Sequence, residues 1–226
     1  MAERQIVGLG GAGPDDEATR RLLAHVVALA GKPTPRVCVL PTAAADDAAL
    51  VLRLFGLLPE GAQTSYVPFF PWPPARLREL ALAQDVIFVG GGSTANMLAI
   101  WRVHGFDAIL REAWERGVVL SGWSAGMICW FEAGVTDSFG PQLEGMHDGL
   151  GFLAGSACPH YDGEERRRPV YRQLVAGGFP GGIAADDGVG VHFRGTELAE
   201  VVTVRAGATA YRVGADGETA LDALQL

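Results

Sequence analysis

The sequence is poor in the features that mark exported, zinc-binding and nucleic-acid-binding proteins. Its 226 residues include three cysteines, Cys38, Cys129 and Cys158, which cannot all pair and show no C-x-x-C spacing. This usage suits a reducing compartment and argues against a structural zinc site. There are 18 basic residues against 26 acidic ones, a formal net charge of -8, so the surface is not suited to a phosphate backbone. We therefore expect no nucleic-acid partner.

Long apolar segments are also missing. The N-terminus lacks the basic stretch and apolar core of a secretion signal, and no apolar run reaches the length that spans a bilayer. We therefore expect a cytoplasmic protein that does not bind membranes. The 31 glycines and 13 prolines are scattered between apolar runs, as is typical of turns in a compact fold. We expect one domain over residues 1–226, present as a monomer or homodimer.

Strand-like and helix-like segments alternate along the first half of the chain. This alternation predicts a parallel sheet with helices on both faces. After residue 131 the pattern changes to glycine-rich loops, a polar helix over 164–176 and short strands near 183, 189–193, 198–204 and 210–213, which we expect to add antiparallel strands at one sheet edge. The earlier predicted strands are 5–9, 36–40, 63–67, 86–89 and 118–120, and the helices are 15–30, 46–58, 74–84, 95–103 and 106–116.

A G-x-S-x-G pentapeptide, Gly122-Trp123-Ser124-Ala125-Gly126, follows the fifth predicted strand. A nucleophile elbow has this form, because a sharp turn that exposes a serine at the tip of a sheet leaves room only for small residues around it. Hydrolysis with Ser124 as the nucleophile is the first hypothesis. The alternative is a buried strand followed by an ordinary small-residue turn.

A second glycine-rich turn, Gly90-Gly91-Gly92-Ser93-Thr94, follows the fourth predicted strand. Ligands of parallel sheets bind beyond the carboxyl ends of the strands, where backbone N–H groups of such a turn can approach them closely. The N–H groups of Gly91 or Gly92 and of Ala125 are therefore candidates for an oxyanion hole. The alternative is that the glycines only form a tight strand-to-helix turn.

A serine nucleophile needs a base, usually a histidine that a carboxylate orients. Among the five histidines, His160 stands apart because it ends a run of small residues and Pro159 fixes the backbone before it. A loop histidine bonded to nearby backbone is the competing interpretation. Two aspartates in turns after the elbow, Asp137 and Asp187, are candidates for the carboxylate, and Glu144, Asp148 and Asp162 are weaker ones. Distance along the chain does not decide between them.

Four motifs in this order resemble the peptidase E and cyanophycinase group of serine peptidases, peptidase family S51. The resemblance implies a flavodoxin-like three-layer α/β sandwich, similar to class I glutamine amidotransferases, with a mostly parallel sheet. It implies Ser124 as nucleophile, His160 as general base and the two glycine-containing turns as the oxyanion region, and it leaves Asp137 and Asp187 open, with Asp187 favoured. The motifs are residues 90–98, 122–126, 158–162 and 183–188.

The expected substrate is a short peptide or isopeptide, cleaved through an acyl-enzyme without cofactor or metal. Ser93 stands where the aspartyl dipeptidase members have asparagine, so the sequence does not predict selectivity for an N-terminal aspartate. Ser93 and Asn96 are further candidates for substrate binding. Arg167, within the cluster 166–168, is another, because an arginine fork pairs with a carboxylate. A solvated, salt-bridged helix start is the alternative for that cluster.

Three other classes compete with this hypothesis. An α/β-hydrolase-type esterase would have the order serine, acid, histidine, whereas His160 follows Ser124 closely. A dinucleotide-binding module is suggested by residues 8–13, which fit G-x-G-x-x-G, but the acidic residue expected about twenty positions later is missing. A non-catalytic ligand-binding protein on the same scaffold is the third possibility, since fold does not imply function.

Overall fold

The computed structural model describes residues 3–226, which form two sheets with helices packed against them. The strands are β1 (Gln5–Leu9), β2 (Arg36–Leu40), β3 (Gln63–Tyr66), β4 (Val86–Val89), β5 (Val119–Trp123), β6 (Phe131–Thr136), β7 (Glu144–Met146), β8 (Leu153–Cys158), β9 (Gly182–Ala185), β10 (Val189–Arg194), β11 (Glu197–Thr203), β12 (Ala210–Gly214), β13 (Gly217–Ala220) and β14 (Leu224–Gln225). The helices are α1 (Asp16–Ala28), α2 (Ala48–Leu57), α3 (Leu77–Leu82), α4 (Thr94–Val103), α5 (Phe106–Glu115), α6 (Ala125–Ile128) and α7 (Arg167–Ala176), with a 3₁₀ helix at Thr42–Ala44.

The larger sheet has eight strands in the order β14-β11-β10-β1-β5-β4-β2-β3. Five neighbouring strands, β1, β5, β4, β2 and β3, are mutually parallel. Beyond β1, the sheet continues with β10 and β11, each of which pairs antiparallel with the strand before it. The predicted mostly parallel sheet, with antiparallel strands at one edge, is confirmed. Because the carboxyl ends of parallel strands share one edge, the loops after β1, β4 and β5 are neighbours.

Helices cover both faces of this sheet, which confirms the predicted three-layer α/β fold. Alternate strand residues enter different cores, as the two-residue period of a strand requires. Val7 and Val39 pack in the core beneath α1 and α2, whereas Ile6 and Leu40 pack in the core that contains the apolar faces of α4 and α5. The central strands are buried on both sides, and this explains their continuous apolar sequences.

The second sheet has six strands in the order β13-β12-β9-β8-β6-β7. It corrects the expectation that all the short strands of the second half extend the first sheet, since β9 and β12 belong here. Strands β6, β7 and β8 were not predicted, because glycines interrupt their apolar pattern. At Gly134 the glycine is required by packing, since a Cβ there would lie 2.5 Å from Cγ2 of Ile128.

Most predicted boundaries in the first half agree with the structure to within about two residues, the accuracy with which element ends are defined. Two helices begin three residues later than predicted: α3 begins at Leu77 after a turn at 75–76, and α7 begins at Arg167 after a turn-rich segment. Within residues 3–226, no helix combines the length and the apolar character of a membrane span.

Candidate active site

Ser124 stands at a strained turn between β5 and α6. Its backbone has φ of 55° and ψ of -115°, a region that a non-glycine residue rarely occupies and that costs about 1–3 kcal/mol. The flanking glycines are required by packing on β4, because a Cβ at Gly122 or Gly126 would lie 2.4 or 2.3 Å from the carbonyl oxygen of Val89. The G-x-S-x-G pattern therefore corresponds to a sharp strand-to-helix turn.

The turn after β4 lies directly beside this elbow. A Cβ at Gly91 would lie 3.2 Å from Cβ of Ser124, so the glycine lets the backbone approach the serine closely. Gly92 has φ of 134° and packs on the 3₁₀ helix, where a Cβ would lie 2.2 Å from the carbonyl oxygen of Ala43. The hydroxyl of Ser93 accepts the N–H of Asn96 at 3.3 Å and so caps α4.

His160 and Asp187 meet because β8 and β9 are adjacent parallel strands. Each residue lies two positions after the end of its strand, and Nδ1 of His160 is 2.6 Å from Oδ1 of Asp187. An ionised carboxylate can only accept a hydrogen bond, so Nδ1 carries the hydrogen and Nε2 is left as the basic nitrogen. Asp137 is exposed in the turn after β6, and within residues 3–226 no ion pair joins it to His160.

The glycine-rich loop after β1, which resembles a dinucleotide fingerprint, forms the support of this pair. The carbonyl oxygen of Gly10 accepts the N–H of His160 at 3.0 Å. A Cβ at Gly11 would lie 1.9 Å from Oδ1 of Asp187 and 2.9 Å from Nδ1 of His160. Sequence reasoning missed this role. The available signal was that the two glycines directly follow β1, which is the neighbour of β5 in the sheet.

Ser124 and His160 line one cleft of about 410 Å³. Of the predicted oxyanion and substrate residues, only Gly91 shares this lining; within the described part of the chain, Gly92, Ser93, Asn96 and Ala125 are not among the lining residues. The chain order of the assembled group is serine, histidine, aspartate, which differs from the order in α/β-hydrolases. The other lining residues are Gly11, Ala12, Ala44, Asp47, Leu50, Arg53 and Trp123.

Comparison with known proteins identifies the family of this chain. The family model described as Peptidase family S51 matches residues 6–201. The chain belongs to peptidase family S51.

Relatives of this S51 chain are peptidases by name. It is 45% identical over 213 residues to the uncharacterized peptidase YgaJ of Bacillus subtilis strain 168, and the alignment covers 93% of this chain and 92% of YgaJ. A crystal structure of a peptidase from an acI-B1 Actinobacterium superimposes with a TM-score of 0.68 at 16% identity, over 98% of this chain and 95% of the other. The crystal structure of a Listeria monocytogenes EGD-e protein, whose name describes it as a peptidase E, superimposes with a TM-score of 0.65 at 16% identity. The superposition covers 90% of this chain and 100% of the other. The two structures share the fold.

Arg167 does not line the cleft of Ser124 and His160, and the prediction that it binds substrate is wrong. Its side chain is 3% exposed, and the guanidinium donates to the carbonyl oxygen of Val135 at 2.8 Å and to the carboxylate of Glu164 at 2.7 Å. It therefore ties α7 to β6. The neighbouring Arg168 pairs with Glu218, so the arginine cluster contributes to the packing of the second sheet.

The cysteines offer no competing nucleophile. All three thiols are free and buried. Burial raises the pKa of Cys158 to about 12 and the pKa of Cys129 well above its ordinary value. Neither is a thiolate at neutral pH, and the thiolate is the nucleophilic form. Within residues 3–226, no group of three His, Cys, Asp or Glu side chains is arranged to hold a metal ion.

Proposed function

We propose that this S51 family member is a serine peptidase that cleaves short peptides or isopeptides through Ser124, His160 and Asp187. The observation that carries the proposal is the 2.6 Å contact between Asp187 and His160, which lines one cleft together with the strained Ser124. Membership of a peptidase family supports the reaction class. The serine that lines the cleft and the oriented histidine support the serine mechanism.

In the proposed reaction, Nε2 of His160 takes the proton of the Ser124 hydroxyl as its oxygen attacks the scissile carbonyl. Asp187 stabilises the resulting imidazolium, and backbone N–H groups of the Gly91-Gly92 turn and of Ala125 hold the oxyanion. The imidazolium then protonates the leaving amine, which departs and leaves an acyl-serine. A water molecule gives a proton to His160, attacks the acyl group and releases the acid, and the serine recovers its proton.

The lining of the cleft supports a small, charged substrate. Asp47, Leu50 and Arg53 follow one another at three-residue spacing along α2, so the wall has a negative, an apolar and a positive position. Six residues of helix span about 9 Å, close to the length of two or three residues of extended peptide. Arg53 is 64% exposed and 3.8 Å from Asp16, a weak surface pair that a substrate carboxylate can replace. We infer that a peptide with two free ends fits this cleft.

The test of the mechanism is covalent labelling with a fluorophosphonate, followed by peptide mapping. We expect the label on Ser124 in the parent protein and no label in Ser124→Ala. Hydrolysis of any dipeptide or isopeptide found by library screening should fall at least about 10³-fold in this variant. Ser65→Ala, on the edge strand β3, is the matched control and should behave as the parent. Full activity of Ser124→Ala, or a label on another residue, would overturn the proposal.

The same screen addresses the competing functions. Hydrolysis of ester substrates without cleavage of peptide or isopeptide bonds would favour an esterase. Labelling at Ser124 with no turnover of any substrate class would favour a ligand-binding protein that keeps the ancestral site.

A further inference from the structure

An ion pair between Asp162 and Arg205 encloses the backbone of Asp187. Oδ1 of Asp162 accepts the N–H of Asp187 at 3.0 Å. Nε of Arg205 donates to the carbonyl oxygen of Asp187 at 3.2 Å, and Nη2 of the same guanidinium pairs with Oδ2 of Asp162. Both peptide groups that flank the Cα of Asp187 are therefore held by one closed ring of side-chain contacts.

The carboxylate of Asp187 is restrained as well. It lies between two glycine backbones, since a Cβ at Gly11 would be 1.9 Å from its Oδ1 and a Cβ at Gly163 would be 2.0 Å from its Oδ2. The backbones of Gly11 and Gly163 thus confine the carboxylate of Asp187 to one position. With the backbone and the side chain both confined, Oδ1 stays within hydrogen-bond distance of His160.

The two partners come from different parts of the molecule. Asp162 lies two residues after His160, on the loop that carries the base. Arg205 follows β11, the second strand from one edge of the larger sheet. Its backbone is itself fixed, because its N–H donates to the hydroxyl of Thr203 at 3.2 Å and that hydroxyl donates to its carbonyl oxygen at 3.0 Å. The pair thus connects the loop of the base, the turn of the acid and the larger sheet.

We propose that Asp162 and Arg205 are positioning residues, which keep Asp187 aligned on His160 and thereby set the orientation of the imidazole. The inference rests on the proposed serine mechanism. As a bare ion pair the two side chains would contribute little to stability, because they are 31% and 34% exposed. Their value is geometric, since a displacement of about 1 Å in a catalytic group can cost about 100-fold in rate.

Two measurements on the full-length protein test this proposal. The first is the downfield proton resonance of the hydrogen between His160 Nδ1 and Asp187 in the NMR spectrum. The second is the rate of fluorophosphonate labelling of Ser124 as a function of pH. For Arg205→Gln we expect the resonance to weaken or vanish, the labelling rate to fall about 10- to 100-fold and the pH midpoint of labelling to move. Arg205→Lys should recover part of the rate, because it restores the charge opposite Asp162.

The matched control is Arg194→Gln, which removes an exposed arginine of β10 that pairs with Glu3 at 3.8 Å. It should leave both measurements unchanged. If Arg205→Gln is unstable, Asp162→Asn tests the same ring, since it keeps the shape of the side chain and removes its charge. A folded variant of either kind with the parent resonance and pH profile would overturn the proposal, as would unfolding of both, which would make the pair purely structural. Absence of Ser124 labelling in the parent would contradict the proposed function instead, while the resonance still tests the positioning.

Discussion

Two non-glycine residues with positive φ, Ser124 and His160, face the same cleft. Such conformations persist where the surroundings leave no alternative. At Ser124 the packing of Gly122 and Gly126 on β4 imposes the turn, and at His160 the hydrogen bond from its N–H to Gly10 does so. Two of the four non-glycine residues with positive φ within residues 3–226 are therefore the candidate nucleophile and base, and the other two are Ala45 and Asp46.

Replacement of the two candidate acids separates their roles. Asp187→Asn should lower kcat about 10³- to 10⁴-fold, because an amide beside Nδ1 favours the wrong tautomer and cannot stabilise the imidazolium. Asp137→Asn should remain within about threefold of the parent, since this residue is exposed and His160 pairs with Asp187 instead. Steady-state kinetics on one peptide substrate measure both. Equal, mild losses would remove Asp187 from the mechanism.

At the scale of elements, strand ends assemble the site. The loops after β1, β4 and β5 come together because these strands are neighbours in the larger sheet, and the link between β9 and β10 carries Asp187 from the second sheet into the first. Helix α2 closes the cleft from the side. Each loop is short, so the strands themselves determine where the functional groups lie.

Helix α2 should select the carboxyl end of the substrate. For a peptide with a free carboxylate, Arg53→Met should raise KM about 10-fold, since a charge-assisted hydrogen bond contributes about 1.5–3 kcal/mol. For the same peptide with a carboxamide end, KM should stay constant. The control Arg20→Met removes an exposed arginine of α1 that pairs with Glu17 at 3.9 Å. An equal effect of Arg53→Met on both peptides would show that the arginine does not read the carboxylate.

At the scale of the whole molecule, the candidate active site and one source of stability lie at opposite ends of the larger sheet. Asp85 precedes β4, on the side away from the cleft, and its buried carboxylate accepts from Lys32 at 2.7 Å and from the backbone N–H of Arg36 at 2.8 Å. Burial works against the charged form, but these donors outweigh it and lower the pKa of Asp85 from its ordinary value.

The pKa of Asp85 is lower in the folded protein than in the unfolded chain. Its contribution to stability is therefore fully present above the pKa of the unfolded state, and it is lost as the pH falls through the pKa of the folded state. At pH 7, Asp85→Asn should therefore lower the free energy of unfolding by about 1–3 kcal/mol. The difference from the parent should shrink as the pH falls below about 4. Urea unfolding over a pH series measures this, with Glu17→Gln, 77% exposed, as the control. A difference that is the same at pH 3 and pH 7 would contradict the assignment.

Much of the larger sheet could be predicted from the sequence, because its central strands are buried on both faces and show as continuous apolar runs. Strands β1, β2 and β4 agree with the predicted ranges. The second sheet could not be predicted in this way. Its strands are short and contain glycines that close packing requires, as at Gly134, and these glycines remove the alternating pattern by which a strand is recognised.

The sequence by itself determined the reaction class and the pieces of the site, because an elbow serine, a glycine turn and a proline-preceded histidine are local features with local physical causes. Tertiary structure alone decided their partners. The neighbouring positions of β8 and β9 bring Asp187, and not Asp137, to His160, and burial takes Arg167 out of the site. The contact of Gly11 with Asp187 and the Asp162–Arg205 pair likewise join residues from distant parts of the chain. Such contacts depend on strand order, which spacing along the chain does not encode.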